Sequence, residues 1–322
     1  MANFQWVQNG DIRLRVAVEG RDNAPLVIFV HGFPESWYSW RHQLKALAEA
    51  GYRVAAPDVR GYGGSDRPEE ISAYTMEALT SDIAAISETL SPDQPAVVIG
   101  HDWGAPIAWN SALLHPDHFR AVAGLSVPYI PLGPIAPLDL YRKVFTDNGL
   151  FFYQIYFQEE DRPEAELEED PGSTIRKFYY AISGDAPDDA WPKDKPHGSG
   201  LLEGLAEPPM PLAWLNESDV RYYDSQFRVS GFRGPLNRYR AQTADHAYLT
   251  ALADTTIYQP SLFIGGTKDP VLAMFQGDLG EMIRPHLPNL KGAHVLDGCG
   301  HWTQQERASE VNALLIDWLG GL

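Results

Sequence analysis

The run Gly100-His101-Asp102-Trp103-Gly104 lies between the wholly apolar stretch Ala96–Ile99 and the helix-like run Ala105–Leu114. A glycine-x-acid-x-glycine pentapeptide between a strand and a helix predicts a turn so sharp that its central side chain stands exposed. The two glycines let neighbouring chain come close to that turn. The central side chain is Asp102.

The identity of that residue decides the chemistry. A serine at such a turn attacks a carbonyl and leaves an ester that water opens. A serine that displaced a group from saturated carbon would leave an ether, which no nearby histidine could hydrolyse. An aspartate is ionised at neutral pH and needs no base to attack. Its displacement at saturated carbon leaves an alkyl ester whose carbonyl belongs to the protein, and water activated by a histidine opens it. Asp102 therefore points to epoxide opening or carbon–halogen cleavage.

Around this turn, short β-branched runs alternate with runs of helical period. Arg13–Glu19 alternates apolar and polar residues, as a half-exposed strand does. Leu26–Val30 is wholly apolar, as in a strand buried on both faces. Leu44–Ala50 predicts a helix and Tyr52–Ala56 a strand. Thr75–Leu90 spaces Met76, Leu79, Ile83, Ile86 and Leu90 as an amphipathic helix. Ala96–Ile99 and Ala121–Ser126 read as further strands. Repeated strand–helix units imply a parallel sheet with right-handed crossovers.

The texture changes at Pro128, with Pro131, Pro134 and Pro137 close behind. From there to about Asp245 the sequence is rich in aromatics, acids and prolines, and no buried parallel strand is evident. Arg142–Gln158 and Asp219–Val229 read as helices, and Gly184–Pro211 as the least ordered part. Strand and helix resume at Ser261–Ile264, Leu279–Ile283 and Ala293–Leu296. A closing helix from about Gln305 to Leu319 carries Val311, Leu314, Leu315 and Trp318 on one face. The expected organisation is a first core part at 1–130, an inserted, mainly helical cap at 131–245, and a second core part at 246–322.

Three further loops fall where a nucleophile at Asp102 would need them. After Leu26–Val30 comes His31-Gly32-Phe33-Pro34, which can lend the Phe33 amide to an oxyanion hole. The second amide would be that of Trp103. After Ser261–Ile264 comes Gly265-Gly266-Thr267-Lys268-Asp269, making Asp269 the candidate acid that orients a histidine. After Ala293–Leu296 comes Gly298-Cys299-Gly300-His301-Trp302, making His301 the candidate base. The order nucleophile, acid, histidine is that of the α/β-hydrolase fold: a mostly parallel central sheet flanked by helices. All four pieces follow strands, on the side where open α/β sheets bind ligands.

Other polar residues have plainer readings. His31 and His101 adjoin the site and are expected to pack and hydrogen bond around the turn. No paired spacing such as H-x-x-x-H supports a metal site. Cys299 is expected to be a small buried residue, and a single cysteine allows no internal disulfide. The glycine-rich loop Asp58–Ser65 lacks the lysine-serine/threonine ending of a phosphate loop, and its Arg60 is expected to pair with an acid.

At this level of detail the chain resembles the soluble epoxide hydrolases of the α/β-hydrolase fold. The resemblance rests on His31-Gly32-Phe33-Pro34-Glu35-Ser36-Trp37, Gly100–Gly104 and Gly300-His301-Trp302, and spans nearly the whole chain. In the cap, Phe152–Gln158 resembles the segment bearing one catalytic tyrosine, which lands on Tyr153. Gly231–Tyr239 resembles the segment bearing the other, which lands on Tyr239. A phenol suits epoxide opening because the departing alkoxide needs a proton. Halide departure needs only N–H donors. The resemblance has departures. Arg238 stands where the family segment has an aromatic residue, which bears on pocket shape. The phosphatase domain that precedes mammalian members is not contained in a chain of this length. Trp103 is shared with haloalkane dehalogenases, many of which carry asparagine where this chain has Phe33.

The resulting expectation is an epoxide hydrolase that makes a vicinal diol through an ester on Asp102. Asp269 and His301 drive the second step, and the Phe33 and Trp103 amides form the oxyanion hole. Phe33, Pro34, Trp103, Tyr153 and Tyr239 are expected around the substrate. A haloalkane or haloacid dehalogenase using the same aspartate is the first rival, and an inert hydrolase-fold binding protein the second. The chemistry needs no cofactor and no metal. The expected partner is a small-molecule epoxide. A net charge of −18 argues against nucleic acid, an anionic membrane or a strongly anionic substrate. The first residues show no secretory leader and no stretch reaches membrane-span length, so a cytoplasmic protein is expected. The sequence leaves the oligomeric state open, a homodimer included.

Overall fold

The computed structural model describes residues 3–275 and 277–322. Its centre is a sheet of eight strands in the order β1-β2-β4-β3-β5-β6-β7-β8. In chain order these are β1 (Asn3–Asn9), β2 (Ile12–Glu19), β3 (Leu26–Val30), β4 (Arg53–Pro57), β5 (Ala96–His101), β6 (Phe119–Leu125), β7 (Ser261–Gly266) and β8 (Leu290–Leu296). β1–β2 and β2–β4 pair antiparallel. Every other pair is parallel, giving the α/β-hydrolase fold.

The helices before the last two strands are α1 (Arg41–Glu49), α2 (Met76–Leu90), α3 (Gly104–Leu114), α4 (Pro137–Val144), α5 (Tyr153–Tyr156), α6 (Arg162–Glu169), α7 (Pro171–Ala181), α8 (Glu217–Ser230), α9 (Arg233–Arg240) and α10 (Gln242–Leu249). α11 (Leu279–Ile283), α12 (Thr303–Glu306) and α13 (Ala308–Gly320) follow. No helix among the described residues is long and apolar enough to cross a membrane.

The strands show why period two matters here. In β5, Val97 and Ile99 join Phe29, Leu44, Val311, Leu315 and Trp318 on one side of the sheet. Val98 faces the other way, with Val30, Leu79, Ile83, Ile107 and Trp109. A strand buried on both faces reads as a continuous apolar run, which is why β3 and β5 were legible. β1 was not read from sequence. Only Val7 in it is buried, so it is an edge strand with almost no apolar signal.

Two helix expectations are corrected. Arg142–Gln158 is not one helix. α4 ends at Val144, Gly149 takes a left-handed φ of 73°, and the chain runs extended through Leu150–Phe152 before α5 begins. The extended piece is fixed by the Phe151 amide donating to the Lys195 carbonyl at 2.8 Å and by a Leu150–Pro196 bridge. The closing helix is likewise interrupted at Arg307, which separates α12 from α13. Helices α6, α7, α9 and α10 were not read from the sequence. They lie with α4, α5 and α8 between β6 and β7.

The turn after β5 is the tightest place in the sheet. Asp102 holds φ +50°, a conformation L-residues seldom adopt. A Cβ on Gly100 would lie 1.9 Å from the Gly104 carbonyl oxygen, and one on Gly104 would lie 2.0 Å from the Val30 carbonyl oxygen. Both contacts are with backbone, which cannot swing aside. Gly104→Ala is therefore expected to cost on the order of 3 kcal/mol or more by overpacking. Urea unfolding checks this, and a loss below about 0.5 kcal/mol, the size of a neutral surface change, would contradict it.

Candidate active site

Each strand-end loop delivers one group to the same spot. Asp102 follows β5 directly, and its side chain keeps 14 % of its surface exposed and so remains reachable. The loop after β3 turns back over it, and the Phe33 amide donates to Asp102 Oδ1 at 2.7 Å. Gly32 is required there, because a Cβ would come within 2.4 Å of that same oxygen. The loops after β7 and β8 bring Asp269 and His301 together. His301 Nδ1 lies 3.0 Å from each Asp269 carboxylate oxygen, while its Nε2 lies 3.4 Å from Asp102 Oδ2. The Trp103 amide follows Asp102 directly and finds no acceptor among the described residues.

His301 is fully enclosed between two carboxylates. Burial alone would lower its pKa, but the Asp269 charge and the bonds to Asp102 and Asp269 outweigh it, so the imidazolium is held well above its ordinary value. Asp102 contributes both a hydrogen bond and a charge to that support.

A second buried charge pair lies beneath the turn. His101 Nδ1 donates to Glu35 Oε2 at 2.8 Å and Nε2 to the His301 carbonyl at 2.8 Å. Both ring nitrogens face oxygen atoms, so the ring is held from two sides. Burial would raise the Glu35 carboxyl, but the His101 charge and hydrogen bond hold it down at about 2. Glu35 also accepts from the Gly32 amide at 2.8 Å and from Gln304 Nε2 at 2.9 Å. This network ties the loop after β3, the turn after β5 and the His301 backbone into one rigid floor. His31 Nε2 accepts from the Val59 amide at 2.9 Å. Cys299 is fully buried, and burial pushes its thiol up, away from reactivity. Arg60 pairs with buried Asp82 at 2.7 Å.

The two tyrosines come from elements between β6 and β7. Tyr153 opens α5 and Tyr239 lies near the end of α9; their ring centroids are 6.0 Å apart. Tyr239 also meets Trp103 and Phe33 edge-on, at 5.2 and 5.3 Å. Burial and then the nearby Asp102 charge raise the pKa of both phenols, so both stay protonated. Gln154 Nε2 donates to the Tyr153 oxygen at 2.9 Å, which leaves the Tyr153 O–H free to donate elsewhere. A cavity of about 540 Å³ opens on this cluster, within the ~300–1,000 Å³ common for small-molecule sites. Asp102, Trp103, Tyr153, Gln154 and Arg238 line it. Phe33, Pro34, Tyr239, Asp269 and His301 do not; they stand behind its walls. Gln154, Glu35 and the Arg238 partner Asp245 were not singled out from the sequence. Gln154 and Glu35 lie inside quoted motifs, the one available signal.

The chain is similar to known proteins along nearly its whole length. A family profile described as alpha/beta hydrolase fold matches residues 25–181. Epoxide hydrolase A of Mycobacterium tuberculosis is 42% identical, with 98% of this chain and 97% of that protein covered. The solved epoxide hydrolase from an endophytic Streptomyces is 45% identical and superposes with a TM-score of 0.93, covering 99% of this chain and 96% of that one. The rat bifunctional epoxide hydrolase 2 is 40% identical over 96% of this chain, but the match spans only 53% of the rat protein. The chain thus belongs to the epoxide hydrolase family of the α/β-hydrolase fold. In this family, catalysis passes through a covalent ester on an aspartate.

The electrostatics of His301 lead to a direct expectation. Asp102→Asn removes the charge and keeps a residue that tolerates the left-handed turn. It should lower the pH at which His301 loses its proton. The contribution of His301 to stability, present below the ordinary value near 6.5 and lost as pH rises through the raised value, should then vanish at lower pH. NMR titration of the His301 ring checks this, and an unmoved midpoint would show that Asp102 does not support the imidazolium.

Proposed function

We propose that Asp102 is the nucleophile, Asp269 and His301 the acid–base pair, and Tyr153 and Tyr239 the proton donors of a two-step epoxide hydrolysis. One observation carries the reading: the reachable Asp102 carboxylate contacts His301 and lies close enough to the Tyr153 and Tyr239 phenols for its charge to help keep both protonated. An epoxide enters the cavity and its oxygen accepts from the tyrosines. Asp102 attacks a ring carbon, the C–O bond breaks, and one phenol gives its proton to the departing alkoxide. Esterification releases His301 from one of its two carboxylates. The imidazolium gives its proton to the tyrosinate, and the neutral ring, still oriented by Asp269, then takes a proton from water as the hydroxide adds to the ester carbonyl. The Phe33 amide, already on Asp102 Oδ1, and the Trp103 amide receive the oxyanion. Collapse frees the vicinal diol. The added hydroxyl's proton passes to the departing alkoxide, and the proton taken from water restores the imidazolium, so epoxide plus water gives diol and an unchanged protein.

Asp102, Asp269 and His301 form a catalytic triad in this reading, and residues 131–245 act as a cap that supplies the acids. A small-molecule epoxide as partner and an aqueous, cytoplasmic setting fit the acidic composition. No step needs a metal or an organic cofactor.

The covalent step can be trapped. His301→Gln keeps the fold and a polar ring substitute but removes the base. Incubated with styrene oxide, it is expected to gain the epoxide's mass on the peptide that carries Asp102, read by intact-protein and peptide mass spectrometry. Absence of any adduct, with diol still forming, would sink the scheme. In the same variant, adding Tyr153→Phe and Tyr239→Phe together should slow adduct formation on the order of 10²-fold or more. An unchanged rate would remove the phenols from the mechanism.

A further inference from the structure

The residue before Tyr239 is a buried arginine in the cavity wall, 3 % exposed. Arg238, on α9, forms a close ion pair with Asp245 on α10. Each partner also grips the core on one side of Thr75. An Arg238 Nη donates to the Tyr74 carbonyl. Asp245 Oδ1 accepts from the Met76 amide at 2.6 Å. Met76 is the first residue of α2, so the carboxylate sits at a helix N-terminus whose free N–H groups favour it. The guanidinium then lies over the Trp103 ring, 4.7 Å from its centroid. That ring is the one Tyr239 meets edge-on. Around this contact α9 is pressed against the core: a Cβ on Gly234 would come within 2.7 Å of the Gly61 Cα, and Asn237 donates to the Glu69 carbonyl at 2.9 Å.

We propose that the Arg238–Asp245 pair is a latch between α9–α10 and the N-terminus of α2, and that it sets the placement of the Tyr239 phenol for ring opening. Arg238 is a positioning residue: it acts through Trp103 and Tyr239 and does not itself receive the substrate's charge. An aromatic residue here could pack on Trp103 but could not also bind the Tyr74 carbonyl and Asp245. The inference rests on the reading of Tyr239 as a proton donor.

A buried ion pair can be merely structural, so the test must separate stability from chemistry. Removing one partner leaves a lone buried charge and destabilises strongly, whereas removing both is often near neutral. Arg238→Met with Asp245→Asn removes both charges and keeps an acceptor for the Met76 amide. Introduced together with His301→Gln, the pair of changes lets ester formation be followed alone, by quenched-flow mass spectrometry. Propylene oxide and 1,1,1-trifluoro-2,3-epoxypropane are the substrates, since the alkoxide beside a trifluoromethyl group needs protonation less.

The expected result is a folded protein whose thermal midpoint is close to that of His301→Gln alone. It forms ester with propylene oxide on the order of 10²-fold more slowly, with a clearly smaller loss for the fluorinated epoxide. Arg238→Lys, which retains a cation beside Asp245, should recover part of that rate. Ester formation at the parent rate in both variants would overturn the proposal, as would an equal loss for both epoxides. Tyr239→Phe in the same background is the control. If it too alkylates at the parent rate, the reading of Tyr239 fails. If it is slow while the Arg238 variants are not, the latch alone fails.

Discussion

The site depends on one strained residue held between two close backbone contacts. Asp102 keeps φ at +50° because Gly100 lies against Gly104 and Gly104 against Val30, with no room for a side chain at either glycine. That geometry lifts the carboxylate out of the sheet at the end of β5. It also carries the chain straight into α3, with the Trp103 amide directly after Asp102. Strain of this kind costs of order 1–3 kcal/mol and persists only where the surroundings enforce it. Here the enforcement comes from β3 on one side and from the Glu35–His101 pair below. The central position of β5 in the sheet then allows loops from β3, β7 and β8 to converge on Asp102.

Charge is arranged in alternation through this interior. Glu35 faces His101, whose other nitrogen reaches the His301 carbonyl; the His301 ring lies between Asp269 and Asp102. His301 is flanked by two carboxylates and Glu35 accepts several hydrogen bonds, which is what makes ionised groups tolerable away from water. The arrangement also separates two tasks. The lower pair is locked by several hydrogen bonds and serves as a floor. In the proposed reaction the upper one loses a member when Asp102 is esterified, which frees His301 to act as a base. The Tyr153 and Tyr239 phenols are kept neutral by burial and by the nearby Asp102 charge.

Much of this was legible in the sequence because its signals were local. A buried strand is a run of apolar residues, and a tight turn needs its glycines, so β3, β5 and β7 and the loops carrying Phe33, Asp102 and Asp269 could be read directly. His301 followed from chain order. The two tyrosines were not legible from pattern; they came from resemblance, since a lone aromatic in a polar helix looks like packing. What escaped depends on distant partners. β1 has one buried side chain, and the short helices α6, α9 and α10 are tied by polar contacts such as Arg240–Glu164 and Arg238–Asp245. The break at Gly149 is enforced by residues near Lys195, forty-odd positions away in the chain. Asp245 has no local feature that marks it. It gains its place only when α10 meets the start of α2.

The central claim is that the oxygen added to the substrate comes from Asp102, which water then replenishes. A single turnover with protein in excess over epoxide, run in ¹⁸O-enriched water, tests this directly. The account predicts that the heavy oxygen appears in the Asp102 side chain and that the diol from that first turnover contains none. Heavy oxygen in the first diol, with Asp102 unlabelled, would mean that water attacks the epoxide directly, and would contradict the account.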